Sequence, residues 1–169
     1  MSIRNRIRDV LDKELFCLPP EDGGECVRSL FVSGAVFDDV RGPFSENFYG
    51  RRLGKFRGNL DAFTRGARVS IASDPYAKRP SADFAPVDPV GLDIWDFRST
   101  APHPQIRCFG AWAEKDVFVG LTWKWRDDIS RFSEEAKECR EEWDRIFPSH
   151  APYRGTTVDD YIKNRYWAV

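Results

Sequence analysis

The chain has little of what several function classes require. Its two histidines, His103 and His150, and four cysteines, Cys17, Cys26, Cys108 and Cys139, are scattered, with no C-x-x-C pair. Structural zinc and a disulfide framework are therefore not expected, and the thiols read as small apolar side chains. No apolar run approaches the roughly 20 residues needed to cross a bilayer. The N-terminus, with Arg4, Arg6, Arg8 and Lys13, lacks the apolar core of a signal peptide. We expect a cytoplasmic protein with no membrane contact and no cofactor. Neither a P-loop nor G-x-G-x-x-G, G-x-S-x-G or H-E-x-x-H occurs, so nucleotide hydrolysis, serine chemistry and zinc chemistry lack sequence support.

What is present suits one domain. The 169 residues are 41% hydrophobic and 14% aromatic, enough for a single core. Net charge is −1, but it is unevenly spread. Between Arg41 and Pro80 nine Arg or Lys face three acids, whereas Glu134 to Asp144 holds six acids. A folded molecule with one positive and one negative face follows, or else two solvated helix surfaces.

Periodicity supplies the elements. Ile3, Ile7, Val10, Leu11 and Leu15 recur at helical spacing, which predicts an amphipathic helix over 2–16, ended by Pro19-Pro20. Residues 27–36 are β-branched and aromatic and read as the first core strand, with Gly34 as a bulge or exit. Phe48, Leu53, Phe56, Leu60 and Phe63 predict a helix over 47–65, capped by Ser45 or Asn47. Its glycines at 50, 54 and 58 each weaken it by about 1 kcal/mol relative to alanine, which implies close packing or room for a bulky partner. Four prolines within 74–91 predict an ordered loop without regular structure.

Three strand-like runs follow: Leu92–Arg98, Ile106–Phe109 and Val117–Arg126, joined by connections short enough for an antiparallel meander. A helix over 133–147, capped by Ser133 and stopped by Pro148, and a short terminal helix with a capping threonine near Thr156 complete the chain. The expected architecture is α+β: an N-terminal helical extension over 1–20, then a single domain over 27–169. In that domain a small antiparallel sheet of about four strands packs against two or more helices.

The chemistry concentrates in the meander. Side chains alternate along a strand, so Ile94, Asp96 and Arg98 share one face and Trp95 and Phe97 the other. Likewise Thr122, Lys124 and Arg126 oppose Trp123 and Trp125. If the aromatic side packs on a helix, Arg98, Lys124 and Arg126 converge on the open side, joined by Arg107 from the middle strand. Such cations would stabilise the extra charge of a pentavalent phosphate transition state, and would favour deprotonation of a neighbouring lysine. The plainer alternative pairs Asp96 with Arg98 or Arg107 as ordinary structural charge. Arg51, Arg52, Lys55 and Arg57 form a cationic flank for nucleic acid, and Trp125 a platform for a base. His103, Tyr153 and Tyr161 are further candidates, as acid or base or as stacking residues.

The order of strand, helix and loop, then Ile94-Trp-Asp-Phe-Arg98, Ile106-Arg107 and Val117-Phe-Val-Gly-Leu121 followed by Lys124, Arg126 and a helix, resembles the RelE/HigB-like toxin superfamily. The likeness spans residues 27–147, and its specific part is 92–126. It implies a RelE-like fold with two helices on an antiparallel sheet, and metal-independent cleavage of messenger RNA, on the ribosome in that family. It also implies attack of a ribose 2′-hydroxyl on the adjacent phosphate. Arg98 and Arg107 would bind phosphate, Lys124 and Arg126 would stabilise charge or move protons, and an acidic antitoxin would cover the cations. A non-catalytic α+β interaction module that binds protein or nucleic acid is the alternative.

Overall fold

The computed structural model describes residues 2–72, 74, 76, 79–163 and 166–168. Its helices are α1 (Ile3–Val10), α2 (Gly34–Val40), α3 (Phe48–Thr64), α4 (Phe132–Ile146) and the single turn α5 (Val158–Tyr161). Its strands are β1 (Leu15–Cys17), β2 (Ser29–Ser33), β3 (Val69–Ile71), β4 (Phe84–Pro86), β5 (Trp95–Ser99), β6 (Ile106–Glu114), β7 (Val117–Trp125) and β8 (Tyr166–Ala168). Among the described residues all eight strands form one sheet, in the order β1-β2-β7-β6-β5-β4-β3-β8. Strands β5, β6 and β7 make the expected antiparallel meander, but β2 runs parallel to β7, β3 runs parallel to both β4 and β8, and the sheet is therefore mixed.

This corrects the expected small antiparallel sheet of about four strands. Two of the added strands lie where periodicity is silent. The N-terminal helix stops at Val10, and Leu15–Cys17 pairs with β2 instead of continuing the helix. The proline-rich stretch contributes Phe84–Pro86, paired along β5, so the loop over 74–91 is broken by a strand. Three-residue strands are too short to show a period of two, and Pro86 argues against one.

Two apolar layers sandwich the sheet. On one side α2 and α3 set Val36, Val40, Phe56, Leu60 and Phe63 against Leu30, Val32, Phe84, Phe97 and Trp112. On the other, α1 and α4 set Ile7, Val10, Cys139, Trp143 and Ile146 against Leu15, Phe109, Ala111 and Val119. Full burial of each large apolar side chain contributes roughly 1.5–3 kcal/mol, so both layers hold the sheet.

Local chemistry explains the boundaries. Strand β2 ends earlier than expected because the Ser33 hydroxyl accepts the Val36 amide at 3.3 Å and starts α2 at Gly34. Asn47 caps α3, its side chain accepting the Gly50 amide at 2.8 Å. A Cβ on Gly50 would lie 2.1 Å from the Ser45 carbonyl oxygen, so the incoming chain crosses the helix where a side chain cannot fit. Helix α4 begins one residue early, with Arg131 rather than Ser133 at the cap position and Glu134 and Glu135 in its first turn. Thr157 and Asp160 form the capping box of α5.

One irregularity positions the site. Between β6 and β7 the register jumps from Phe109↔Thr122 to Gly110↔Gly120, which leaves Leu121 as an extra residue in β7. That bulge reverses the phase of β7. Without it Val119 and Lys124 would lie on opposite faces; with it Lys124 shares the face of Val119 and α4, and Trp123 and Trp125 point to the α3 side. Gly110 permits the crowding, since a Cβ there would sit 2.0 Å from the Val119 carbonyl oxygen.

Candidate functional site

Three of the four predicted cations are direct cross-strand neighbours. Arg98 pairs with Arg107 across β5 and β6, and Arg107 with Lys124 across β6 and β7. They form a row on one face, and Arg126 follows in a short turn with its guanidinium 4.8 Å from the centre of the Phe132 ring. The expected convergence is therefore present.

The row is not open, however. Helix α4 lies over β6 and β7 on this face, and Arg98 and Arg107 are buried. Asp96 is fully buried between them, with Oδ1 2.8 Å from Arg98 Nε and Oδ2 3.2 Å from Arg107 Nε. Other donors of the two guanidiniums also have partners. Arg107 donates to Gln105 Oε1 at 2.9 Å and to the Ile106 carbonyl at 3.2 Å, and Arg98 to the Arg79 carbonyl at 3.3 Å. Removing one member of so buried a cluster typically costs about 3–5 kcal/mol, because the survivor is left charged and alone.

Burial lowers the Arg107 pKa to about 10, with the fields of Arg98 and Arg126 acting the same way and Asp96 opposing them. Two like charges thus bear on Arg107 at once, a concentration that an anion would relieve. Lys124 behaves differently from expectation. Its ammonium donates to Glu135 Oε1 at 2.6 Å, and that bond moves its pKa up. Lys124 is a fixed cation, not the deprotonated lysine that clustered positive charge would produce.

A histidine–aspartate pair lies at the same end of the sheet. His103 lies on the loop between β5 and β6, with Nε2 3.2 Å from Asp127 Oδ2. The chain on either side ties this pair to the row: Arg126 donates its amide to the Gln105 carbonyl at 2.8 Å, and Asp127 is the next residue. Both side chains are well exposed.

The four cations assigned to the flank of α3 divide. Arg52 is buried and donates to the Pro104 carbonyl at 2.7 Å and to the Ser99 carbonyl at 2.6 Å. Arg57, also buried, donates to the Pro19 carbonyl at 3.0 Å and lies 3.3 Å from Glu21. Both hold loops in place. Arg51 and Lys55 are exposed. Trp125 is half-buried, its ring 5.5 Å from that of Tyr49 and 5.2 Å from that of Trp123.

Residue pattern alone did not point to Glu135, Gln105, Phe48 or Tyr49. The pairing of Glu135 with Lys124 depends on how α4 docks, which local sequence does not encode. Tyr161 is buried, its ring 4.8 Å from that of Trp95, and Tyr153 packs beside it at 5.9 Å. The Trp95 and Tyr161 rings line a separate cavity of about 290 Å³, together with the Asp93–Arg154 ion pair and none of the four cations. All four cysteines are free, with Cys108 and Cys139 buried. Among the described residues no group of three His, Cys, Asp or Glu side chains is placed to hold a metal ion, and no helix is long and apolar enough to cross a membrane.

Comparison with protein-family models, curated proteins and solved structures finds no match for this chain.

Proposed function

We propose that the protein acts on RNA as a metal-independent endoribonuclease of the RelE/HigB toxin type, with messenger RNA as substrate and an acidic antitoxin as partner. The observation that carries this is the row Arg98–Arg107–Lys124, extended by Arg126, which gathers four cations at one end of the sheet, with Asp96 and Glu135 bonded to three of them and the carboxylates of Glu138 and Asp128 also acting on Lys124. A phosphodiester entering this end of the sheet meets Lys124 and Arg126 first. Arg107 and Arg98 then stabilise charge that develops on the phosphorus oxygens, because preorganised cations act most strongly where water is excluded.

In the proposed step the ribose 2′-oxygen attacks the adjacent phosphorus and the bond from phosphorus to the 5′-oxygen breaks. The leaving oxygen takes a proton from water, and the products end in a 2′,3′-cyclic phosphate and a 5′-hydroxyl. The 2′-hydroxyl proton passes to the free ring nitrogen of His103, whose other nitrogen is held by Asp127. Expression of the protein alone arrests growth on this reading, and Lys124→Gln with Arg126→Gln, which leaves the buried Arg98–Asp96–Arg107 cluster whole, relieves the arrest while the fold persists. Uncut RNA, with purified protein and translating ribosomes, would refute it.

One observation favours a second reading, a non-catalytic module that binds protein or nucleic acid. Asp96 and Glu135 together engage three of the four cations, and Arg98 and Arg107 are buried. On this reading the row is structural and the exposed surface of α3 and β7 does the binding. Cleavage with catalytic turnover separates the two readings.

A further inference from the structure

The α3 side of this same end carries a band that the cation row does not use. Trp123 and Trp125 stand out from β7 with ring centres 5.2 Å apart, Tyr49 follows at 5.5 Å from Trp125, and Phe48 at 5.6 Å from Tyr49. The band leaves the core as it goes. The tryptophans are half-buried, whereas Phe48 is 52% and Tyr49 59% exposed.

Cations continue the line. Phe48, Arg51 and Lys55 are spaced at i, i+3 and i+7 on α3 and so share one face of the helix. Arg51 hydrogen-bonds the Glu46 carbonyl, and neither Arg51 nor Lys55 pairs with a carboxylate among the described residues. The carboxylates of neighbouring α2 are already engaged, Asp39 by the Trp123 indole N–H at 2.8 Å and Asp38 by Arg41 at 3.4 Å. Successive rings meet edge-on or tilted, at 84°, 59° and 74°, and the exposed rings of Tyr49 and Phe48, followed by two cations without a carboxylate partner among the described residues, match a chain that alternates bases and phosphates.

We infer that the band Trp123–Trp125–Tyr49–Phe48–Arg51–Lys55 is a docking track for single-stranded RNA, with bases on the rings and backbone phosphates on the two cations. The ligand class rests on the RNA reading above, but the site itself lies across the sheet from the cation row. Trp125 is the last residue of β7, so the track and the row share one end of the sheet on its two faces.

The test is fluorescence anisotropy of the intact protein with a labelled oligoadenylate, alongside the quenching of tryptophan emission. Tyr49→Ala and Trp125→Ala each weaken binding by roughly tenfold, and Trp125→Phe retains most of it. Tyr49 is exposed, so its variant stays informative if Trp125→Ala unfolds. Arg51→Ala with Lys55→Ala flattens the salt dependence. A duplex of the same length binds more weakly, because its bases are not free to stack. Oligoadenylate binding that is absent, or unchanged in Tyr49→Ala, overturns the track and leaves the rings as a protein-binding surface. Ring-dependent binding without cleavage keeps the track and removes the nuclease; cleavage with ring-independent affinity does the reverse.

Discussion

Arg51 and Arg52 are adjacent, identical in type and opposite in role. Arg52 is buried and binds the loop leading into β6 through the Ser99 and Pro104 carbonyls, whereas Arg51 faces water and touches only the Glu46 carbonyl. The two faces at the end of β7 repeat the contrast on a larger scale. On the α4 side, the cations around Asp96 are buried and held by that carboxylate; on the α3 side, Phe48, Tyr49, Arg51 and Lys55 stand exposed. What separates a structural cation from an available one is the number of acceptors the fold supplies, not residue type or position in a charged run.

The most severe way to break the contrast is Asp96→Ala, which leaves two buried guanidiniums without their carboxylate. We expect a loss of about 3–5 kcal/mol, read from the urea midpoint. Arg52→Ala comes next, at roughly 2–3 kcal/mol, because charge-assisted bonds to two carbonyls vanish. Arg51→Ala beside it should stay within about 0.5 kcal/mol, as for other surface substitutions. Equal losses from the two arginines would remove the distinction.

The cysteines offer a milder version. Cys17 and Cys26 are exposed and should react at once with a thiol reagent, while Cys108 and Cys139 react only on unfolding. Burial pushes the Cys108 thiol up to about 12 from 9.0. Its folded pKa exceeds its unfolded one, so its contribution is complete below pH 9 and is lost as pH rises toward 12. A urea series over that range, compared with Cys108→Ala, should show the wild type losing more stability than the variant.

The sequence made the meander legible because β5 and β7 alternate cleanly over their charged ends, and made α3 legible through Phe56, Leu60 and Phe63. The division within the cationic flank was also readable. Arg52 lies four residues before Phe56 and eight before Leu60, on the buried stripe, while Arg51 and Lys55 fall off it. Strands β1 and β4 were not readable, being three residues long, and neither was the bulge at Leu121, which sets the side on which Lys124 emerges. Burial of the cation row was hidden for a further reason. It depends on α4 and Glu135 crossing over strands that lie many residues earlier, and no local pattern records which face a helix will choose.

The central claim is that the cation row cuts RNA, and end-group mapping tests it most directly. Purified protein is incubated with messenger RNA on translating ribosomes and with RNA alone, in the presence of a metal chelator. We predict fragments ending in 2′,3′-cyclic phosphate and 5′-hydroxyl groups, lost in Lys124→Gln with Arg126→Gln. Intact RNA under both conditions, or cleavage undiminished in that variant, would contradict the account.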